Sequence, residues 1–382
     1  MTDFVESFTT QQLIPPWIAK GSRIWAFVIR TEASCMQNYL DTHLNSPGPD
    51  QAPYHYRCID ETGYGLLMVA DHPDFSSGAN GIEGWDTVKH KEVFWAFPAM
   101  RYDLNKNNLL GQGEVVWIQP FYFDDSSYVM FSSREIWGSE KQLGNITLQE
   151  GKRHDQLHID LSTQGFAKFN PRSKAKSLAV MHARLNPGTE PVDLRKIILK
   201  DSDIATFNGT IMASFNLFGA PPENTPGLRR GIEINTLKQF RDVFDMRAAA
   251  YRAIIASHVK HELVGEPQFF YGEQVELDFM WSDTMKEQLI QLFGLEEPEE
   301  GTHTVGHDDK GDAPPSGFDP DGADEEELSL EHKYGRPPMG DINADWNLPR
   351  VRVPVEYAFS FTTNARFEVL GTLHTYGTPG AA

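Results

Sequence analysis

The sequence predicts a fold built mainly from strands of one sheet system, with a small helical part, and three observations carry that expectation. Short runs rich in β-branched and aromatic residues recur along most of the chain. Strand pattern resumes after a long acidic stretch, so the segments on either side of it belong to one sheet system rather than to two domains. Helical signatures are confined to a few segments.

Taken in order, the first strand is Ile24-Trp-Ala-Phe-Val-Ile29, and the next clear one is Val115-Val-Trp-Ile-Gln-Pro-Phe-Tyr-Phe123. A helix is expected between Asp125 and Trp137, with Gly138 as its stop, because glycine reaches the left-handed conformation that ends helices. Ile211-Met-Ala-Ser-Phe-Asn-Leu-Phe218 reads as a strand. Leu237, Phe240, Phe244, Tyr251, Ile254 and Ile255 fall close to one helical face, and Thr236 with Gln239 offers a capping box, so this segment reads as a helix. Val275, Leu277, Phe279 and Trp281, and later Val351, Val353, Val355 and Tyr357, alternate as strands with one apolar face. Between them, residues 296–343 combine acids with Gly, Pro and Ser and hold almost no large apolar group. Such a segment buries too little surface to offset its ordering entropy, and is expected to be a disordered insertion in a single domain spanning 1–382.

Composition narrows the function classes. The net charge is −20, which disfavours nucleic acid and anionic membranes as partners. Glu296 to Glu327 holds thirteen acids against one lysine, so the rest of the chain is only mildly acidic. Two cysteines, Cys35 and Cys58, make no disulfide framework and no zinc-ligand pair, which suits a reducing cytoplasm. The start of the chain lacks a signal-peptide pattern, and no run approaches the roughly 20 apolar residues needed to span a bilayer. Asn145-Ile-Thr147 and Asn208-Gly-Thr210 are accordingly chance matches to the glycosylation pattern.

Phosphate-loop, dinucleotide-turn and nucleophile-elbow motifs are absent. His258, His261 and Glu262 are close in sequence, but His-x-x-His-Glu is not the spacing that puts two ligands and a base on one helical face, so no metal is assigned. Ser132-Ser-Arg-Glu-Ile-Trp-Gly-Ser-Glu-Lys-Gln-Leu-Gly144 is different, placing Lys141 three residues after a glycine and just past an aromatic-rich stretch. Spacing alone leaves two readings open, an ordinary surface lysine or an amine perturbed by burial. Reactivity would require the second, since an unperturbed amine with a pKa near 10.4 is almost wholly protonated at neutral pH.

The run Arg134-Glu-Ile-Trp-Gly-Ser-Glu-Lys141 resembles the Gly-Arg-Glu-x-x-Gly-x-Pro-Lys block of the acetoacetate decarboxylase superfamily. Phe121-Tyr-Phe-Asp-Asp125 resembles the step that leads into that block, and Glu92 followed by Pro98 resembles the family's glutamate strand. Ser22-Arg-Ile-Trp-Ala-Phe-Val-Ile-Arg-Thr-Glu32 resembles the strand that carries a substrate-facing arginine, with Arg23 slipped by one residue against the pattern. Thr236-Leu-Lys-Gln-Phe-Arg-Asp242 with Ala249-Ala-Tyr251 is similar to a segment of longer bacterial and fungal members, so the resemblance runs from Ser22 to about Leu295.

That resemblance implies an α+β fold in which antiparallel sheets close into a cone around a pocket, flanked by a few helices, in a homo-oligomer. It implies a Schiff-base decarboxylase of a β-keto acid, a carbon-carbon lyase needing neither metal nor organic cofactor. Lys141 would be the electron sink, Glu92 the proton shuttle, and Arg23 the anchor for the substrate carboxylate. On their own, Glu92 also fits a strand-edge carboxylate, Arg23 a surface residue, and Arg134 with Glu135 a structural ion pair. The chain departs from the family pattern at Ser133 for glycine, Glu140 for proline, and Gln142 for the second lysine of true decarboxylases. Without that second cation, burial is left to deprotonate Lys141, and Glu140 would oppose it if its carboxylate points inward. An aldolase or dehydratase using the same iminium, or a non-catalytic module binding small molecules, is the alternative. Between Glu92 and Lys141 the chain also carries extra length, read as a longer hairpin loop at Asn105 to Gln112.

Overall fold

The computed structural model describes residues 13–45, 53–59, 63–79, 87–104, 113–151, 157–186, 188–193, 197, 204–215, 217, 231–298, 344–346 and 348–376. The predicted loop at 105–112 lies outside these residues, as does the predicted insertion from residue 299 onward.

Strands dominate. In chain order they are β1 (Trp17–Arg30), β2 (Tyr54–Cys58), β3 (Tyr64–Ser77), β4 (Val88–Asp103), β5 (Glu114–Asp124), β6 (Lys141–Leu143), β7 (Asn145–Glu150) and β8 (Leu157–Gly165). They continue as β9 (Lys176–Leu185), β10 (Ile232–Arg241), β11 (Ala249–Leu263), β12 (Gln268–Tyr271), β13 (Val275–Met280), β14 (Arg350–Arg352) and β15 (Val355–Thr375). The α-helices are α1 (Ala33–Leu40), α2 (Ser127–Trp137), α3 (Ala205–Phe215) and α4 (Lys286–Phe293). Strands with a few helices give the α+β class that the motif resemblance implies.

The larger sheet runs β2-β4-β3-β1-β15-β11-β10-β5-β6, and β4 also pairs with β5. That extra pairing closes β4, β3, β1, β15, β11, β10 and β5 into a ring, so the sheet curls into a cone whose inner face is enclosed. The seam is thin, since β5 and β10 meet in parallel through Ile234 and Trp117 alone. A second sheet, β14-β13-β9-β8-β7, packs on the outside. Period-2 alternation then assigns the faces. On β4, Val93, Trp95 and Phe97 join the core between the sheets, whereas Glu92, Phe94 and Ala96 face into the cone. Strands buried on both faces explain why β1 and β5 read as continuous apolar runs.

Two predicted elements change type. The helix expected over 237–255 is the antiparallel pair β10 and β11, with Leu237 opposite Ile254 and Phe240 opposite Tyr251. The turn between them is fixed by side chains: Asp242 accepts from the Phe244 and Asp245 amides, and Asp245 from the Arg247 amide, local bonds that compete with helix. Phe244, counted as helical core, is 99% exposed at that turn. Thr236 donates to the Trp137 carbonyl instead of capping a helix. Conversely, the strand expected at 211–218 is largely α3, because Phe207, Ile211 and Phe215 recur every four residues and are all buried on one face. Among the described residues, no helix is long and apolar enough to cross a membrane.

Candidate active site

Helix α2 and its ends set the site. Ser126 caps it by accepting from the Val129 amide, and Gly138 ends it at φ 72°, a left-handed conformation that suits glycine. The chain then turns back so that β6 lies parallel to β5, with Lys141 beside Tyr122 and Leu143 beside Asp124. Across β4 and β5, Glu92 is registered opposite Asp124, and Phe94 opposite Tyr122. Two registers therefore deliver Lys141, Tyr122, Glu92 and Asp124 to one patch of wall.

Lys141 is 3% exposed. Its Nζ donates to Glu92 Oε1 and, at 3.0 Å, to Asp124 Oδ2, and it sits 4.3 Å from the centre of the Tyr122 ring. The Tyr122 hydroxyl donates to Glu92 Oε2 at 2.6 Å. Asp124 also accepts from the Ser126 amide at 2.8 Å. His72 and His90 stack with centroids 4.8 Å apart, each with Nε2 3.5 Å from a Glu92 oxygen, and Ser22 bonds the far nitrogen of His72. Lys141, Glu92, Tyr122 and His72 line a cavity of about 80 Å³ whose walls are otherwise largely Trp17, Phe94, Trp117, Phe215 and Val259. The Ser133 hydroxyl, which also faces this cavity, is buried with no hydrogen-bond partner among the described residues.

Burial pulls the Lys141 amine down, yet Glu92 and Asp124 outweigh it and hold the amine above its ordinary value. The resting lysine is thus an ammonium, contrary to the expectation that burial would deprotonate it. Burial would raise Glu92, but the Lys141 charge, with His72 and His90, holds it well below the usual carboxylate range. Asp124 goes the other way: burial, aided by the Glu92 charge and opposed by Lys141, pushes it up to about 7. Burial also lowers His90, and lowers His261 on the cavity wall to about 4.

The structure brings Lys141 and Glu92 together, and does not bring Arg23 to them. Ser22 and Ile24 face into the cone, so Arg23 points out of it and its guanidinium, 45% exposed, pairs with Glu150. Glu140 is likewise turned away, lining a small void with Tyr39 and Leu44, and the acids that act on the amine are Glu92 and Asp124. Arg134 donates to the Lys141 carbonyl at 2.8 Å and so braces β6. The reading of the sequence missed Asp124, Tyr122, His72 and His90 as site residues. Asp124 lay inside a quoted motif, but only strand register shows that it faces Glu92.

Among the described residues, two clusters offer metal-ligand types: His72 with His90 and Glu92, and His158 with Asp160 and His182. In the first, both Glu92 oxygens already accept from Lys141 and Tyr122, so a cation would compete with the ammonium. In the second, on the outer sheet, the Asp160 oxygens lie 2.9 Å from His158 Nε2 and 2.8 Å from His182 Nδ1, hydrogen bonds that already satisfy the carboxylate. His258 and His261 are three apart on β11 and so face opposite sides of the sheet.

No family model matches the chain, and no curated protein sequence does. Among solved structures, it is similar to an acetoacetate decarboxylase from Legionella pneumophila at 11% identity and TM-score 0.48, covering 98% of this chain and 99% of that one. It is similar to an acetoacetate decarboxylase-like enzyme from Sphingomonas wittichii at 10% identity and TM-score 0.46, over 98% of this chain and 99% of that one. The enduracididine biosynthesis enzyme MppR, complexed with pyruvate, is similar at 13% identity and TM-score 0.45, over 97% of this chain and 95% of that one.

Proposed function

We propose that this protein is a Schiff-base lyase that decarboxylates a β-keto acid through Lys141. One observation carries the reading: a lysine amine held between two buried carboxylates in the wall of an otherwise largely apolar cavity. A purely structural ion pair would need one carboxylate. The second leaves the cluster with a proton to place, and Asp124, at about 7, is poised to take it.

The steps follow from that. The Lys141 ammonium passes a proton to Asp124, and the neutral amine attacks the ketone carbon of the substrate. Asp124 returns its proton to the carbinolamine hydroxyl, which leaves as water and gives an iminium. The bond between the α-carbon and the carboxylate breaks, carbon dioxide leaves, and its electron pair moves onto the iminium nitrogen as an enamine. A proton returns to the α-carbon, with Glu92 and Tyr122 placed to relay it, and hydrolysis frees Lys141. With Arg23 outside the cone, that arginine is not there to hold the substrate carboxylate, and the cavity wall includes Phe94 and Trp117, an environment that disfavours the charged ground state relative to carbon dioxide.

The test is intact mass after hydride reduction with acetoacetate, longer β-keto acids and 1,3-diketones, on the native chain and on Lys141→Ala, with carbon dioxide measured in parallel. A reduced adduct lost in the variant, together with carbon dioxide release, is expected. An adduct without carbon dioxide would move the protein to an aldolase or dehydratase using the same iminium. No adduct from folded protein would make it a binding module.

A further inference from the structure

Behind the segment that carries Lys141 lies a second and larger concavity, about 590 Å³ in volume, which the proposed reaction does not use. That is within the range of roughly 300–1,000 Å³ typical of ligand pockets. In a chain of net charge −20, this cleft is lined by Arg134, Arg241, Arg247 and Arg252, with Glu140 as the one carboxylate among its described lining residues. Arg134 comes from the end of α2, Arg241 and Arg252 from β10 and β11, and Arg247 from the turn between those strands.

Their bonding leaves charge over. Arg134 donates to the Lys141 carbonyl and Arg241 to the Met246 carbonyl, both neutral acceptors. Arg247 reaches Asp245 through Nε alone, at 3.2 Å. Arg252 Nε is buried with no hydrogen-bond partner among the described residues, an uncompensated donor on a guanidinium. Carboxylates and phosphates match the guanidinium fork in shape and charge.

We propose that this cleft is a binding site for a small organic anion bearing carboxylate or phosphate groups, whose oxygens supply an acceptor for Arg252 Nε and a charged partner for Arg241. The site is coupled to the lysine through one hydrogen bond and one shared residue. Arg134 lines the cleft and holds the Lys141 carbonyl, and Ser139 lines both the cleft and the cavity that receives the amine. An anion drawing on Arg134 therefore acts on the strand that positions Lys141. Binding does not depend on Schiff-base chemistry, so the two readings stand or fall separately.

The experiment is thermal unfolding and calorimetric titration of the full chain with citrate and with pyrophosphate, at constant ionic strength set by chloride. The probes are applied to native protein, to Arg241→Gln with Arg252→Gln, and to Lys141→Ala. Saturable stabilisation of the native chain is expected, with affinity at least tenfold weaker in the double variant and retained in Lys141→Ala. Should the double variant fold poorly, Arg241→Gln alone, an exposed change, is expected to weaken binding at least threefold. Equal responses in native and arginine-variant protein, or no saturable response to either anion, would overturn the proposal. Hydride trapping at Lys141 then identifies the source of the anion. Preferential trapping of keto acids with a second acid group, lost in Arg241→Gln, assigns the cleft to the substrate's own tail. A trapping rate altered by added pyrophosphate assigns it to a separate effector.

Discussion

Replacing Asp124 with asparagine tests the electrostatics of the site most directly, because it deletes one charge and keeps the shape. The Asp124 oxygen is 3.0 Å from Lys141 Nζ, where an attraction in a medium of effective dielectric about 20 is on the order of 5 kcal/mol. Asparagine forfeits that attraction, and its amide donor would face the ammonium, so burial acts on the amine with only Glu92 opposing. Removal of an opposite charge at this range moves an amine down by about 1–3 pH units. The kinetic consequence follows from Asp124 titrating at about 7. In the native chain the ionised carboxylate that accepts the lysine proton falls from about nine-tenths at pH 8 to about one-tenth at pH 6, so trapping slows roughly tenfold. In Asp124→Asn that limb is replaced by the titration of the amine itself, whose neutral fraction rises up to tenfold per pH unit, so trapping is expected to change by about 25-fold or more over the same range. The assay is cyanoborohydride trapping followed by intact mass, with Lys141→Ala as blank and both proteins run in the same buffers. Identical profiles for native and variant protein would refute the assignment of Asp124 as the proton acceptor.

The same group makes a stability prediction with a definite sign. A carboxyl raised from about 3.9 when unfolded to about 7 when folded adds stability that is complete below about pH 4 and lost as pH rises toward 7. Urea unfolding of the native chain relative to Asp124→Asn should therefore show a difference that shrinks by roughly 2–4 kcal/mol from pH 4 to pH 7; a difference that grows would contradict it. Tyr122→Phe removes the donor to Glu92 Oε2, and is expected to cost about 1.5–3 kcal/mol in urea unfolding while leaving the adduct at Lys141 intact. Gly138→Ala must hold φ at +72° with its Cβ driven into the backbone and Cβ of Lys238. A loss of at least about 2 kcal/mol is expected, together with loss of trapping, since this turn aims Lys141.

What was legible in the sequence divides by how far each feature depends on neighbours distant in the chain. Lys141 and Glu92 were found through local motifs, and the stop of α2 at Gly138 through the intrinsic freedom of glycine. Arg23 shows the limit of that method. A strand alternates faces, so the one-residue slip against the motif put Arg23 on the outer face while Ser22 and Ile24 point in. The segment from 237 to 255 carries apolar spacing that fits a helix nearly as well as a hairpin, and the decision came from Asp242 and Asp245 folding the turn and from pairing with β5 and β15. His72 and His90 had no signal at all, because only the β3–β4 register, which sets them opposite one another, makes them neighbours.

The placement of Asp124 also accounts for a departure that looked disabling. Without a second lysine after Lys141, no neighbouring cation is available to lower the amine's pKa, and the two acids in fact raise it. A raised pKa at rest is compatible with Schiff-base chemistry when the proton has somewhere close to go. A single carboxylate in so dry a wall would form a neutral pair with the ammonium and keep it. With two, the cluster is overcharged by one when all three groups are ionised, and the excess is relieved by protonating Asp124 near neutral pH. The proton that must leave Lys141 for attack and the proton that must later reach the enamine can thus be drawn from one shared store. In the proposed reaction, activation of the amine rests on a poised acid rather than on a neighbouring cation.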